Sequence, residues 1–254
     1  MLRILAAAEL TPEDLVLEIG PGRGVLTRGL LAQAAQVVAV EMDPQLADAL
    51  PARMGHPSNL TTVQGDARNI EVPSLLGVDK PYKLVANLPY YAANPIVRRF
   101  LETEPKPSLL VVMLQQEVAQ AMVAQPGKMS LLSVATQFYA SASRVCTVPP
   151  RSFHPPPAVT SAVIRLDVRD RPAVDVIDEE GFFDVVRAGF SARRKQLHNA
   201  LAQGLKADRE AVTRLLADAD IDGMRRAQTL SLEEWAQISE VWGEQSSLES
   251  PGLR

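Results

Sequence analysis

The tetrapeptide Asn87-Leu88-Pro89-Tyr90 brings a carboxamide, a proline and an aromatic ring to the end of an apolar run at 82–86. The side-chain oxygen of Asn87 can accept a hydrogen bond from an exocyclic N–H group, and the ring of Tyr90 offers a flat face to a base. Pro89 lacks a backbone donor and has a fixed φ, which helps to aim neighbouring carbonyl groups. These properties suit a planar amine that is held at its edge and stacked. The same residues are common in turns, so the tetrapeptide alone leaves both interpretations open.

A glycine-rich turn, Gly20-Pro21-Gly22-Arg23-Gly24, follows the short apolar stretch at 15–19. A strand, such a turn and a helix together surround a bound group with backbone N–H groups and a positive dipole end. The dinucleotide fingerprint requires Gly-x-Gly-x-x-Gly, but Val25 stands where its third glycine should be. The carboxylate of Glu18 would also repel a pyrophosphate. The turn therefore favours a cationic cofactor without phosphate, such as S-adenosylmethionine, with Glu18, Gly20 and Gly22 as binding residues.

Two acidic residues follow the next strand-like segments. Glu41 ends the valine-rich segment at 36–41, and its carboxylate can accept hydrogen bonds from both hydroxyl groups of a ribose. Asp66 follows the segment at 60–64 and can accept from the exocyclic amine of an adenine, while the backbone N–H of Ala67 can meet a ring nitrogen. Each acidic residue alone is more often a helix cap or a loop carboxylate. Together with the glycine turn, they predict a site for the adenosine part of the cofactor.

The elements that must position these residues alternate between strands and helices. We expect strands at 15–19, 36–41, 60–64, 82–87 and 109–114, helices at 2–10, 25–34, 94–103, 116–124 and 131–142, a helix capped by Asp43, and further β-rich runs at 144–148 and 161–168. This alternation predicts an α/β fold with a parallel, doubly wound sheet. Ligands of such a sheet lie at the carboxyl ends of its strands. The glycine turn, Glu41, Asp66 and Asn87 should therefore converge on one crevice.

The last third of the sequence has no strand-like pattern. The charged run at 167–178 predicts a linker, and helical patterns follow at 180–190, 193–204, 208–219 and 231–243. Ser231 and Glu234 form a capping box before the last helix. We therefore expect an α/β domain at 1–170 and a small all-helical C-terminal domain at 178–245, with residues 245–254 frayed.

The composition is that of an ordinary globular protein, with 46% hydrophobic and 22% charged residues. No apolar run approaches the roughly 18 residues needed to span a bilayer, and we find no signal peptide. The single cysteine, Cys146, cannot form an intrachain disulfide and fits a reducing compartment, so we expect a cytoplasmic protein with no membrane partner. The net charge of −4 argues mildly against nucleic-acid binding, which must depend on local clusters of cations. We assign no residues to a metal.

These motifs closely resemble those of the ribosomal RNA adenine dimethyltransferases, and most of all their bacterial small-subunit branch. The resemblance covers almost the whole chain through Glu18-Ile19-Gly20-Pro21-Gly22-Arg23-Gly24, Glu41, Gly65-Asp66-Ala67, Asn87-Leu88-Pro89-Tyr90, residues 153–161 and residues 190–197. It implies a Rossmann-like class I methyltransferase sheet whose residues Gly20, Glu41, Asp66 and Asn87 contact S-adenosylmethionine. It also implies that a monomer adds two methyl groups to N6 of each of two adjacent adenosines near the 3′ end of small-subunit rRNA, in an assembling ribosomal particle.

The implied reaction needs the target amine to be oriented, because the lone pair of adenine N6 is delocalised into the ring. Asn87 and a main-chain carbonyl in the 88–89 segment can accept its two hydrogens and favour a pyramidal nitrogen. Tyr90 and Phe153 are the candidates to sandwich the base once it has left its stack, although Phe153 also suits ordinary packing at a domain edge. We assign no general base, since the methylated nitrogen can release its proton to water, and we expect His154 to pack in its loop.

A basic cluster in the helical domain is the candidate contact with rRNA. Arg187, Arg193, Arg194, Lys195 and His198 fall in a short stretch with no acidic residue between them. We expect one helix to present cations on the side opposite its leucines, with Arg193, Arg194 and Lys195 as RNA-binding residues. A solvated charged face is the alternative.

Two features depart from the family pattern. Members usually carry an N-terminal segment with a Gln-Asn-Phe-Leu-like motif over the cofactor, and this sequence begins after it. Either the start of the chain is placed late, or the sequence is trimmed at its beginning, or the pocket lacks part of its wall. The loop at 127–134 is also shorter than usual. Three other functions stay open: a large-subunit rRNA methyltransferase of the macrolide-resistance type, a non-catalytic ribosome-assembly factor and, more remotely, a dehydrogenase.

Overall fold

The computed structural model describes residues 1–77 and 81–249. The chain forms two compact units, one of residues 1–120 and 139–170, and one of residues 121–138 together with the chain from 171 onward. Residues 121–138 join the helical unit because their loop is tied to it: the backbone N–H groups of Gly127 and Met129 both donate to the carbonyl of Gln228, at 2.8 and 3.1 Å. The sequence division into domains at 1–170 and 178–245 stays a prediction.

The first unit is built on a mixed seven-stranded sheet with the order β3-β2-β1-β4-β5-β7-β6. Its strands are β1 (Leu15–Ile19), β2 (Gln36–Glu41), β3 (Leu60–Gln64), β4 (Lys83–Asn87), β5 (Leu109–Gln115), β6 (Ala140–Val148) and β7 (Ser161–Val168). The first five strands are parallel, as the alternation predicted, whereas β7 runs antiparallel to both β5 and β6. The α/β prediction is therefore confirmed, with an antiparallel edge that the sequence pattern did not show.

The described residues form eleven α-helices. They are α1 (Leu2–Ala8), α2 (Thr27–Leu31), α3 (Pro44–Met54), α4 (Val72–Leu76), α5 (Ala93–Glu102), α6 (Gln116–Met122), α7 (Leu131–Tyr139), α8 (Glu179–Phe190), α9 (Leu197–Leu205), α10 (Arg209–Asp218) and α11 (Leu232–Glu249). Within residues 1–77 and 81–249, no helix is long and apolar enough to span a membrane.

The core of the first unit lies between the central strands and the helices that cover them. All five residues of β1 are buried, which fits a parallel strand covered on both faces. Ile4 and Leu5 of α1 are buried in the same cluster as Leu30 of α2. Gly29 makes this packing close, because a Cβ atom there would lie 2.4 Å from Leu5 Cδ1. The helix that follows the glycine turn is thus held against the sheet.

Several element boundaries differ from the prediction for identifiable reasons. The helix expected at 25–34 is shortened to α2, with turns before and after it. Helix α7 ends at Tyr139 rather than at 142, since the next residues pair with β7, beginning with Ala140 opposite Val168. Helix α4 was not predicted. Helix α11 continues to Glu249 where fraying was expected, and residues 250–254 of that prediction lie outside the described residues.

The two predicted helix caps are confirmed. The Asp43 carboxylate accepts from the backbone N–H groups of Gln45 and Leu46, at 2.8 and 3.2 Å. Ser231 and Glu234 form the reciprocal capping box: the Ser231 N–H donates to the Glu234 carboxylate at 2.8 Å, and the Glu234 N–H donates to the Ser231 hydroxyl at 3.3 Å. These side chains satisfy backbone donors that a helix start leaves without partners.

A close contact between α8 and α9 gives a stability test. A Cβ atom at Gly204 would lie 2.4 Å from Ala188 Cα, which is backbone and cannot move aside, so we expect Gly204→Ala to destabilise the protein by more than about 1 kcal/mol despite alanine's better helix propensity. Gly243 of α11 is the matched control, because its Cβ position meets nothing within 4 Å, and Gly243→Ala should stabilise by up to about 1 kcal/mol. Urea unfolding measures both. Equal shifts for the two variants would contradict the packing.

Candidate active site

A cavity of about 740 Å³ opens at the carboxyl ends of the parallel strands. Nine of the residues singled out from the sequence line it: Gly20, Glu41, Asp66, Ala67, Asn87, Leu88, Pro89, Tyr90 and Phe153. Four separate sequence motifs therefore meet in one cavity, in the place that the sheet topology predicts for a ligand. Glu18 and Gly22 are not among its lining residues.

Gly20 and Asn87 lie side by side at the ends of neighbouring strands. The register pairs Ile19 of β1 with Ala86 of β4, so the next residues of the two strands are adjacent. Gly20 has φ +68°, which favours glycine, and its N–H donates to the Val40 carbonyl at 2.9 Å. The Asn87 side chain is exposed and has no hydrogen-bonding partner among the residues described. Its amide is therefore available to a ligand.

Of the two main-chain carbonyls proposed as acceptors, those of Leu88 and Pro89, only one already accepts a hydrogen bond within the described residues. The Pro89 carbonyl accepts from the Ala92 N–H at 3.0 Å, within the turn that leads into α5. The Leu88 N–H donates to the Met113 carbonyl of β5 at 3.0 Å, whereas the Leu88 carbonyl accepts no hydrogen bond within the described chain. Of the 88–89 segment, Leu88 therefore supplies the carbonyl that is free to accept from a bound amine.

Tyr90 and Phe153, the two rings expected to stack on a base, both contact residues outside the tetrapeptide. The Tyr90 hydroxyl shares a hydrogen bond of 2.8 Å with the hydroxyl of Ser161, the first residue of β7. Phe153 is half-buried, lines the cavity and also packs against the core cluster. Its packing and its place at the site are thus compatible. His154, next to it, is exposed.

Glu41 fixes the glycine turn as well as lining the cavity. One carboxylate oxygen accepts from the Gly22 N–H at 3.0 Å, and the other accepts from the Asp43 N–H at 3.1 Å. Gly22, with φ +56°, is therefore placed by Glu41 rather than by contact with the cavity. Because an ionised carboxyl group has about four acceptor sites, Glu41 keeps capacity for a ribose diol.

Asp66 is engaged by a residue that the sequence analysis missed. The Arg68 guanidinium binds both Asp66 oxygens, with the shortest contact at 2.6 Å, and lowers the pKa of Asp66 to about 2. Arg68 also lines the cavity. Such an exposed ion pair contributes little to stability, so it can rearrange at low cost when a ligand amine approaches the carboxylate. The only sign of this ion pair in the sequence was the spacing of two residues between Asp66 and Arg68, which is too common to be informative.

Arg99 ties the helix after the tetrapeptide to the loop after β3. From α5, its guanidinium donates to the carbonyls of Ala67, at 3.2 Å, and Ile70. Both carbonyls belong to the segment that presents Asp66 to the cavity. The sequence showed Arg99 only as one of several charges on an amphipathic helix, so its positioning role depends on the fold.

Glu18 is buried behind the cavity, with its side chain 1% exposed and no hydrogen-bonding partner for either oxygen. Burial raises the pKa of Glu18 to about 8, and the Glu41 carboxylate adds to this shift. The carboxyl group is thus largely protonated at neutral pH. An unsatisfied buried acid beside a cavity suits the approach of a cation, which would favour its ionised form.

The predicted RNA-binding residues lie in the helical unit, but not on a helix. Arg193, Arg194 and Lys195 are exposed in the turn between α8 and α9, which begins only at Leu197. The expected cationic helix face is therefore wrong, although Leu197 and Leu201 are buried as expected. Lys195 bonds to the Gln203 side chain at 2.8 Å.

The other two cations expected in this cluster are already engaged. Arg187 pairs with Asp184 at 2.6 Å, and a ring nitrogen of His198 bonds to the Gly223 carbonyl at 2.8 Å. Arg193 and Arg194 have no partner within the described residues. The exposed turn is consequently where positive charge is available to a ligand.

The buried Glu18 predicts a pH dependence of stability. Folded protein keeps the proton up to about pH 8, whereas the unfolded chain loses it near pH 4.5, so this contribution to stability is present below pH 4.5 and is lost as the pH rises through 8. Between pH 6 and 8 the free energy of unfolding should fall by about 2 kcal/mol relative to Glu18→Gln, which stays neutral. Urea unfolding without cofactor measures this difference. Parallel pH profiles for the two proteins would show that Glu18 ionises normally.

Comparison with known proteins identifies the family. The family described as ribosomal RNA adenine dimethylase matches residues 1–238. Proteins called ribosomal RNA small subunit methyltransferase A from Dehalococcoides mccartyi and Pelotomaculum thermopropionicum are 46% and 45% identical over 242 and 250 residues, covering 95% and 94% of this chain and 83% and 85% of theirs.

Two solved structures are similar over nearly the whole chain. A dimethyladenosine transferase from Plasmodium falciparum has a TM-score of 0.81 at 24% identity, with 96% of this chain and 95% of that chain covered, and shows the fold. The 23S rRNA methyltransferase ErmE has a TM-score of 0.75 at 31% identity, with 94% and 95% covered. The family match and the sequence identities lead to one conclusion: the chain belongs to the ribosomal RNA adenine dimethylase family.

Proposed function

We propose that this protein transfers methyl groups from S-adenosylmethionine to N6 of two adjacent adenosines near the 3′ end of small-subunit rRNA, in a ribosomal particle that is being assembled in the cytoplasm. The observation that carries the proposal is the unengaged amide of Asn87 beside Gly20, in a cavity lined by acidic side chains. The names of the 45–46% identical relatives support the small-subunit substrate.

The residues around the cavity fit S-adenosylmethionine. Glu41 keeps acceptor capacity for the ribose, Asp66 and the Ala67 N–H lie where an adenine edge is expected, and the orphaned carboxyl group of Glu18 suits a nearby cation. A pyrophosphate would meet the carboxyl groups of Glu41 and Asp66 in the cavity lining, which disfavours a dinucleotide and therefore a dehydrogenase. When bound, S-adenosylmethionine supplies an electrophilic methyl group on a sulfonium.

The tetrapeptide orients the target amine. Asn87 Oδ1 and the Leu88 carbonyl each accept one hydrogen of adenine N6, which favours a pyramidal nitrogen whose lone pair is less delocalised into the ring. Orientation of this kind supplies on the order of 7–11 kcal/mol in favourable systems. The Tyr90 ring, fixed at its hydroxyl by Ser161, stacks on the base together with Phe153. The carbonyl acceptors need no proton transfer, so the released proton passes to water.

The exposed turn of the helical unit contacts the rRNA backbone. Arg193, Arg194 and Lys195 bring positive charge to a chain whose net charge is −4, and arginine suits bidentate contacts with phosphate. Exposure of these side chains on a turn, rather than along a helix, lets them follow an irregular backbone. The cavity itself is unsuited to phosphate because of its acidic lining.

Methylation of large-subunit rRNA is the second candidate function, since the structure of ErmE is similar at 31% identity. The higher identity to relatives named for the small subunit favours the first candidate. Tritiated methyl transfer to unmethylated small-subunit particles, compared with naked large-subunit RNA, separates them. Labelling of the large-subunit RNA alone would overturn the proposal.

A substitution in the tetrapeptide tests the catalytic role. We expect Asn87→Ala to lower methyl transfer to small-subunit particles by at least about 100-fold, because the target amine loses its orientation. Asn94→Ala, an exposed asparagine at the start of α5 that does not line the cavity, is the matched control and should keep wild-type activity. A wild-type rate for Asn87→Ala would instead support a non-catalytic assembly factor.

The exposed arginines predict a salt-dependent contact. Arg193→Glu with Arg194→Glu should abolish methylation of small-subunit particles, spare binding of S-adenosylmethionine, and reduce the slope of log affinity against log salt by about two. The control is Arg209→Glu with Arg214→Glu, which makes the same charge change on exposed residues of α10. Unchanged methylation by the first pair, or an equal loss in the control pair, would refute the contact.

A further inference from the structure

A second, smaller cavity of about 350 Å³ lies at the end of β5, outside the site described above. It is lined by Gln115, Gln116, Glu117 and Gln120 from β5 and α6, and by Val159 and Thr160 from the segment before β7. Its walls are fixed by backbone contacts: Gln115 pairs with Ser161 in the sheet, and the Gln116 N–H donates to the Thr160 carbonyl at 3.0 Å. The cavity therefore has a defined shape at the carboxyl end of β5.

The glutamine and glutamate side chains that line this cavity are unpaired among the described residues. None of the three glutamine amides, nor the Glu117 carboxylate, has a hydrogen-bonding or ionic partner in the described parts of the chain. Glutamine both donates and accepts, and its amide matches N6 and N7 of adenine as a bidentate pair. A carboxylate can only accept, as from an exocyclic amine. The lining thus offers hydrogen bonds suited to the edge of a nucleobase.

The same lining disfavours a phosphate. No lysine or arginine is among the described residues that form this cavity, and Glu117 would repel an anion. Exposed Val159 adds an apolar surface, which a base can cover and a phosphate cannot. The chemistry therefore selects a base rather than the backbone of an RNA.

The second cavity borders the candidate active site. Gln115 lies two residues beyond Met113, the β5 partner of Asn87, so strand spacing puts Gln115 and Asn87 roughly 8 Å apart at Cα. The segment at 153–161 borders both cavities: Phe153 and Pro157 line the first, Val159 and Thr160 line the second, and Ser161 bonds to Tyr90 between them. This separation suits consecutive nucleotides of one strand.

We propose that this cavity binds the base next to the adenosine that is being methylated, and reads its adenine edge through Gln115 and Gln120. The proposal rests on the proposed function, which places two adenosines side by side in the substrate. One of the two target adenosines would then be presented with the other held in the glutamine cavity, because a strand of fixed polarity brings only one neighbour to that side. Substrate choice would depend on the neighbouring base as well as on the flipped one.

The test combines an enzyme change with an RNA change. The enzyme variant is Gln115→Ala with Gln120→Ala, and the substrate variant is a small-subunit particle in which one of the two adenosines is guanosine, which lacks the N6 amine. Position-resolved mass spectrometry follows methylation of the remaining adenosine. We expect wild-type enzyme to lose about tenfold in rate on the guanosine substrate, and the enzyme variant to be equally slow on both substrates.

Controls separate reading of the base from damage to the fold. Gln36→Ala, at the exposed first position of β2, should keep wild-type behaviour on both substrates. Gln120→Ala alone, at an exposed helical position, should reduce the discrimination between the two substrates by less than the double variant does. An equal loss from guanosine in wild type and variant overturns the inference and leaves the proposed function intact. Absence of methylation of the natural particle by wild-type enzyme overturns both.

Discussion

The side-by-side ends of β1 and β4 are the constraint on which the site depends. Parallel pairing of Ile19 with Ala86 puts the first glycine of the turn against the residue that begins the tetrapeptide. Gly20 has φ +68°, a conformation that glycine adopts readily and other residues rarely adopt. A shifted register would separate Gly20 from Asn87. The reactive geometry is therefore a consequence of strand pairing rather than of either motif alone.

The loops around the cavity are held by side chains that reach across the fold. Glu41 fixes the glycine turn through Gly22, and Arg99 fixes the loop after β3 through two carbonyls. Each link connects consecutive or neighbouring βα units at the same edge of the sheet. Displacement of one loop is therefore resisted by another element of the site. Contacts of this kind, made by residues that support a binding group, keep that group within the roughly 0.5 Å of its productive position that catalysis requires.

The sequence predicted the α/β fold and nine residues of the cavity because these depend on local patterns: apolar strands, a glycine turn, and polar residues at strand ends. It did not predict Arg68, Arg99 or the glutamine cavity, since their partners are brought near only by folding. The placement of Arg193 and Arg194 on a helix was wrong because helical periodicity in charged residues continued through a turn. Likewise, β-pairing with β7 ended α7 before its local pattern did.

Charge explains why recognition is divided between different parts of the chain. The carboxyl groups of Glu41 and Asp66 line the cavity, which suits a cationic cofactor but disfavours an RNA backbone. In the proposed function the phosphate contacts lie elsewhere, on the exposed arginines of the helical unit. What enters an acidic cavity most easily is a neutral base with donor groups at its edge. A target that leaves its stack and presents an amine to Asn87 satisfies this requirement, whereas an intact stretch of backbone does not. The acidic net charge of −4 is thus compatible with RNA chemistry, because the proposed site takes a base and a cationic cofactor rather than the RNA backbone.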